Sequence, residues 1–197
     1  MKNKLYIYGC GGHGRSVAEV ALFNYKAIGI VFVDPNAKPG EKIWGFPVVR
    51  KMPPRISDVH YAIGDNRARQ LRSAGKGVSL IAGDAYVSAK ALVGSGAFVG
   101  HRAYIGPGAS VGAGSIINTA AILEHETRIG DYCHVSVGSV LCGRCEIGDR
   151  VFVGARAVLK DKIKICSDVV IGAGAVVVKD IVKRGLYIGC PAKKARR

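Results

Sequence analysis

The chain lacks the features that mark several common classes of protein. No apolar run approaches the ~18 residues that a membrane-spanning helix needs. The N-terminus leads into only four apolar residues, Leu5 to Tyr8, before a glycine-rich turn. That is too short for a signal-peptide core, so the sequence reads as cytoplasmic, with no stable membrane insertion. Aromatics are only 7% of the chain, few for the stacking platforms of a single-strand nucleic-acid binder. Acidic residues are outnumbered, 14 against 29 Lys and Arg, but the excess is not continuous. Residues 1–80 carry +8, residues 81–182 only +1, and residues 183–197 +6. The neutral middle argues against a nucleic-acid groove; phosphorylated small molecules suit the distribution better. Five His and six Cys are scattered without ligand spacing. Cys142-Gly143-Arg144-Cys145 spells C-x-x-C with no second pair, so no metal is expected. The cysteines read as small buried side chains.

What the chain does have is a repeat. From Ile81 to Val177 every sixth residue is aliphatic, and the residue four further on is small or apolar, from Ala85 to Ala175. Glycine often follows the aliphatic position, as at Gly94, Gly100, Gly112, Gly130 and Gly148. A period of six belongs neither to a helix nor to an alternating strand. It predicts a parallel coil with three short faces per turn, five to six rungs tall. The aliphatic residue points inward, the small one fills the corner, and glycine is expected where the backbone bends sharply. Rungs ~4.8 Å apart pair their backbones. Residues 18 apart then stack, and no two solenoid cysteines have that separation, so disulfides between rungs are not expected.

Before the repeat, Leu5 to Tyr8 predicts a strand, Gly9-Cys10-Gly11-Gly12-His13-Gly14 a turn, Arg15 to about Tyr25 a helix, and Ile28 to Val33 a second strand ending at Asp34. This is the Rossmann fingerprint G-x-G-x-x-G with an acidic residue about twenty positions later. It offers helix N-terminal N–H groups to a diphosphate. A further strand, Val59 to Gly64, runs into Asp65-Asn66-Arg67. About eighty residues hold one mononucleotide half of a dinucleotide fold, not both. The domains are therefore 1–80, a small Rossmann-like α/β unit; 81–182, a parallel β-helix; and 183–197, a basic tail.

Gly11-Gly12-His13-Gly14, Ile63-Gly64-Asp65-Asn66 with Arg69, Asn118-Thr119, Glu124-His125-Glu126, His134-Val135-Ser136-Val137-Gly138 and Gly189-Cys190-Pro191-Ala192-Lys193 resemble the PglD/NeuD-type sugar acetyltransferases of the hexapeptide-repeat superfamily. The resemblance spans almost the whole chain. It implies a left-handed β-helix, although the period itself does not fix the hand. It implies a homotrimer with acetyl-CoA between adjacent β-helices, and transfer to the 4-amino group of a UDP-linked 4-amino-4,6-dideoxy sugar of the bacillosamine type. Carried over by motif, His125 is the general base and Glu126 the carboxylate that raises its basicity. His134 contacts acetyl-CoA, and Ala155 and Ala173 offer backbone groups to it. Gly11, Gly12, His13, Asp34, Gly64, Asn66 and Asn118 line the acceptor site. The solenoid opening, Leu80-Ile81-Ala82-Gly83-Asp84, and the lone Asp34 depart from the family's usual Leu-Ile-His-Pro and acidic pair.

The residues alone support part of this chemistry. His125 falls off the inward slot, on an outer wall, with carboxylates on both sides that can fix its tautomer and stabilise the imidazolium. No Ser or Cys with its own base is evident, so direct attack of an amine on the thioester is expected rather than an acyl-enzyme. The N–H of Gly143, one rung above His125, is a candidate oxyanion donor. Rival readings are O-acetylation of a sialic acid, N-acetylation of a GDP- or dTDP-linked amino sugar, and a non-catalytic solenoid scaffold. A zinc-dependent version is disfavoured because His101, His125 and His134 lack the spacing of ligands on adjacent turns.

Overall fold

A computed structural model describes residues 4–24, 29–54 and 58–195. Tyr25 and Ile28, where the sequence ends its first helix and begins its second strand, lie outside the described residues, as do Arg196 and Arg197. The first unit is a five-stranded sheet of β1 (Lys4–Tyr8), β2 (Gly29–Val33), β3 (Lys42–Ile43), β4 (Phe46–Val49) and β5 (Val59–Tyr61), in the order β3-β4-β2-β1-β5. All pairings are parallel except the β3–β4 hairpin. Helix α1 (Gly12–Asn24) connects β1 to β2 and buries Val17, Ala18, Val20 and Ala21. Helix α2 (Asn66–Ser73) follows β5, and the Asp65 carboxylate caps it by accepting from the Ala68 N–H at 2.7 Å.

Helix α1 starts three residues before the expected Arg15, because the glycine turn is itself the first helical turn. The Arg15 N–H already donates to the Gly11 carbonyl at 3.1 Å. The glycines have distinct reasons. Gly9 has φ of +105° and sits against the Ala62 carbonyl, Gly14 lies directly on the Gly9 carbonyl, and Gly11 faces open space. That is the division of labour of a phosphate-binding turn.

The solenoid is a left-handed parallel β-helix with three faces. The first face runs from Leu80–Ile81 through Phe98–Val99, Ile116–Ile117, His134–Val135 and Phe152–Val153 to Val169–Ile171. The second stacks six strands from Tyr86–Val87 to Val176–Val177, and the third stacks five from Leu92–Val93 to Lys164–Ile165. Partners are 18 residues apart throughout, as Ile105 on Leu123 on Leu141 on Leu159 illustrates. The predicted inward ladder is buried from Val99 to Val177, and so are the corner residues from Ala97 to Ala175. All six cysteines are free.

The bend lies away from the glycines at which it was expected. The left-handed backbone position is three residues after each inward aliphatic, every sixth residue from Gly96 to Gly174, and glycine fills only five of these fourteen places. Glu126, Tyr132, Arg144 and Arg150 are among the rest. The glycines directly after the aliphatic residue answer a different constraint. A Cβ at Gly94 would lie 2.7 Å from the Ala113 nitrogen, and one at Gly100 2.8 Å from the Thr119 nitrogen. They are there because neighbouring rungs approach closely.

The repeat slips at its end. Ile181 bridges to Ile165, sixteen rather than eighteen residues on. Residues Gly185–Ile188 then add a parallel strand to the first face, and Lys193–Lys194 pairs antiparallel with it. Much of the 183–197 segment is thus solenoid cap, with Tyr187 packed against the core.

Candidate functional site

The expected site residues fall into two groups on opposite sides of one chain. The first is at the corner between the second and third faces, which is the vertex opposite the first face. There the His125 Nδ1 lies 3.2 Å from Glu126 Oε2. The same oxygen accepts from Arg144 Nε at 2.7 Å. Arg144 is one rung above Glu126 and both hold the left-handed backbone position. These hydrogen bonds, Arg144 first and His125 second, hold the Glu126 carboxyl below the usual glutamate range. Glu126 therefore stays an anion beside the imidazole. The other imidazole edge rests on Gly143, where any Cβ would collide with Nε2. Among the described residues the Gly143 N–H has no hydrogen-bond partner. The corner thus pairs a proton-accepting nitrogen with a free backbone donor.

The second group lies where the α/β unit meets the first face. The sequence put His134 with the acyl donor and His13 with the acceptor; the structure brings both to this one junction. Their rings are 6.3 Å apart, His13 packs edge-on to Phe98 at 5.1 Å, and His134 to Phe152 at 5.0 Å. His134 Nδ1 is 3.4 Å from the Gly64 carbonyl and Nε2 is 3.3 Å from Asn118 Nδ2. Burial pushes the His13 pKa down to about 3 and the His134 pKa to about 4, with the Arg69 charge adding to both. His13 is neutral, so an anion at the α1 N-terminus would be held by backbone N–H groups of Gly12 and His13 rather than by an imidazolium. His13 Nε2 is buried without a hydrogen-bond partner.

Asp34 ends β2 beside the glycine turn. Its Oδ1 accepts from the Asn36 N–H at 2.9 Å and its Oδ2 from the Cys10 thiol at 3.1 Å. The Asn36 bond and then the Cys10 bond keep its pKa low, so the carboxylate is charged and fixed. Asn66 is placed differently from the acceptor contact expected of it. Its amide donates to the Val151 carbonyl at 3.2 Å and accepts from Arg69, which ties α2 to the solenoid. Ala155 and Ala173 stack above Thr119 on the first–second corner, the same corner as Asn118. Among the described residues no cluster of His, Cys, Asp and Glu could hold a metal, and no helix is long and apolar enough to cross a membrane. His101 pairs instead with Asp84 at 2.7 Å.

Sequence reasoning left out Arg144, Phe98, Phe152 and His60. Adding 18 to Glu126 would have found Arg144. His60, fully buried with Nδ1 2.9 Å from the Val78 carbonyl, had no sequence signal.

A family model described as the PglD N-terminal domain matches residues 4–73, and one described as the GMPPB C-terminal domain matches residues 81–188. Among solved structures, the acetyltransferase domain of PglB from Neisseria gonorrhoeae FA1090 in complex with acetyl coenzyme A is 34% identical, with a TM-score of 0.92 over 99% of this chain and 100% of that one. PerB from Caulobacter crescentus in complex with CoA and GDP-perosamine is 31% identical, with a TM-score of 0.88 over 100% of this chain and 98% of that one. WeeI from Acinetobacter baumannii AYE, 20% identical with a TM-score of 0.76, shares the fold over 98% of this chain and 100% of that one. With its α/β unit, its solenoid and its motif residues all in this frame, the chain belongs to the PglD/NeuD-type sugar acetyltransferases of the hexapeptide-repeat superfamily.

Proposed function

We propose that this protein is a cytoplasmic homotrimer that transfers the acetyl group of acetyl-CoA to the 4-amino group of a nucleotide-linked 4-amino-4,6-dideoxy sugar. The observation that carries the chemistry is the His125 corner: Nδ1 held by an anionic Glu126, Nε2 packed on the Gly143 Cα, and the Gly143 N–H unpartnered among the described residues. In this reading the sugar amine attacks the thioester carbonyl carbon and His125 Nε2 takes the amine proton. The carbon–sulfur bond breaks, and the His125 imidazolium returns the proton so that CoA leaves as the thiol. Glu126 stabilises the imidazolium, and the Gly143 N–H donates to the developing oxyanion.

The faces support the trimer. Outward positions of the second face are Tyr86, Tyr104, Ile122, Val140, Val158 and Val176, an uninterrupted apolar ladder. The third face carries Ser110, Arg128, Glu146 and Lys164. An apolar face of this kind favours self-association. Packing second faces about a three-fold axis sets the His125 corner of one subunit against the neighbour's first–second corner. That corner carries Asn118, Ala155 and Ala173, with His134 on the adjoining face. Acetyl-CoA is placed between them, and the glycine turn, Asp34 and Gly64 receive the nucleotide sugar.

UDP is the base that the sequence resemblance favours. A GDP sugar is the second reading, because a 31% identical relative is in complex with GDP-perosamine. An acetyl-CoA consumption assay against UDP-, GDP- and dTDP-linked amino sugars and free sialic acid tests the function. Turnover with none of the nucleotide sugars would overturn it.

A further inference from the structure

Arg69 is 1% exposed, and among the described residues no carboxylate accepts from it. Its Nε donates to the Gly114 carbonyl at 2.7 Å, and Nη1 to the Ile63 carbonyl at 2.7 Å and the Gly64 carbonyl at 3.2 Å. Its Nη2 donates to Asn66 Oδ1 at 2.8 Å and to the Tyr132 and Cys133 carbonyls at 3.1 Å each. A buried cation satisfied only by neutral acceptors is an expensive way to join two domains, and apolar packing of the same volume is commonly as stable. What the fork does that apolar packing cannot is pin carbonyls on both sides of the junction. One of them, Gly64 O, also faces His134 Nδ1 at 3.4 Å.

Two contacts fix the protonation of His134. A carbonyl can only accept, so Nδ1 beside Gly64 carries the proton. On the far side Asn118 Oδ1 accepts from the Thr119 N–H at 2.8 Å, which turns Asn118 Nδ2 toward Nε2 and makes that nitrogen an acceptor. Burial and the nearby guanidinium keep the ring neutral. We propose that Arg69 is a positioning residue for His134: by clamping the Gly64 carbonyl against the solenoid it holds His134 in the Nδ1–H tautomer and presents Nε2 as a hydrogen-bond acceptor at the domain junction. Given the reading that His134 contacts acetyl-CoA, an N–H of the donor's amide-bearing arm takes the place of Asn118 Nδ2 on the single Nε2 lone pair, which an Nε2–H tautomer would not offer.

Imidazole ¹⁵N shifts of labelled protein, with His134 assigned by comparison with His134→Phe, test this. In the wild type at pH 7 His134 shows a protonated Nδ1 and a bare Nε2; a protonated Nε2 overturns the proposal without any variant. Arg69→Lys keeps the charge and loses the fork, so the tautomers become mixed and the acetyl-CoA KM rises about three- to tenfold, the worth of one hydrogen bond, with kcat within about twofold. An unchanged tautomer in that variant overturns it. Asn118→Ala, at the solenoid surface, leaves Nδ1–H in place; loss of the tautomer there would assign the control to Asn118 and overturn the proposal equally. His134→Ala separates the underlying reading. If it leaves the acetyl-CoA KM unchanged, the acyl-donor role of His134 fails while the tautomer result stands.

Discussion

His125 and His134 are nine residues apart in sequence, and the fold treats them in opposite ways. His125 stands at an exposed corner, tied to a carboxylate that is itself tied to an arginine one rung up. His134 is tucked under a second domain, facing a carbonyl and an amide, with a buried guanidinium nearby. The first environment sets the ring beside an anion in solvent; the second lowers the ring's pKa to about 4 by burial. A histidine's role is therefore set by its face on the prism and by what covers that face, more than by its sequence neighbours. One chain places the two groups on opposite sides of its own core, so under the proposed function a site that uses both needs two chains.

The largest expected effect tests that separation. Val140→Glu puts a charge in the middle of the second-face ladder, where desolvating it at an interface costs several kcal/mol. It should yield monomers by analytical ultracentrifugation and no measurable turnover. An active monomer would show that one chain holds a whole site. Conversely, inactive His125→Ala chains refolded with chains carrying both Asp34→Ala and His134→Ala should regain about a quarter of wild-type sites by random cyclic assembly.

His125→Ala should lower kcat by about 10² or more, the usual reach of a general base, with fold and trimer intact by circular dichroism and sedimentation. Near-wild-type kcat would remove the base from this corner. Gly143→Ala should cost about tenfold in kcat with little change in either KM, because the added methyl displaces a general base without abolishing it. Its backbone conformation accommodates alanine, so thermal stability should stay near the wild-type value.

The buried histidines sharpen the comparison through pH. His13, His60 and His134 have pKa values lowered to about 3, 4 and 4 from an ordinary 6.5. Above pH 6.5 these rings are neutral folded or unfolded, so they add no pH dependence. As pH falls from 6.5 toward 4 the unfolded chain binds protons that the folded one refuses, and stability drops. The loss is on the order of a few kcal/mol. Urea titrations at pH 7 and 4.5 should show it, and His60→Phe should reduce it. The smallest effect is expected at Arg144→Ala. Glu126 keeps its contact with His125, so kcat should fall only about two- to threefold, an exposed ion pair contributing little.

The solenoid was legible because a single inward column repeats from Ile81 to Val177, and burial follows residue type along it. The bend was not legible. Arg102, Glu126 and Tyr132 adopt a backbone that costs ordinary residues roughly 1–2 kcal/mol, and the rung pairing on each side imposes it whatever the side chain. The phosphate-type turn was legible because Gly9 and Gly14 answer local steric demands and Gly11 leaves the turn open. The surroundings of His134 were not, since Gly64, Asn118 and Arg69 reach it from separate segments. Arg69 was visible as part of a motif, but nothing in the sequence said that its partners would be carbonyls. The Asn66 contact with the solenoid was not legible for the same reason: its partner, Val151, is 85 residues away.

The eighteen-residue register also governs how this enzyme can tolerate insertions. Adding one hexapeptide between Val87 and Ile122 would keep every aliphatic residue inward, yet it would advance His125 by a third of a turn, to the next corner. Two would carry it to the remaining corner. Only three return it to its own vertex, and then ~4.8 Å further along the axis. The core reads length modulo six, whereas the proposed catalytic corner reads it modulo eighteen. Indels that folding accepts are thus mostly ones that activity rejects.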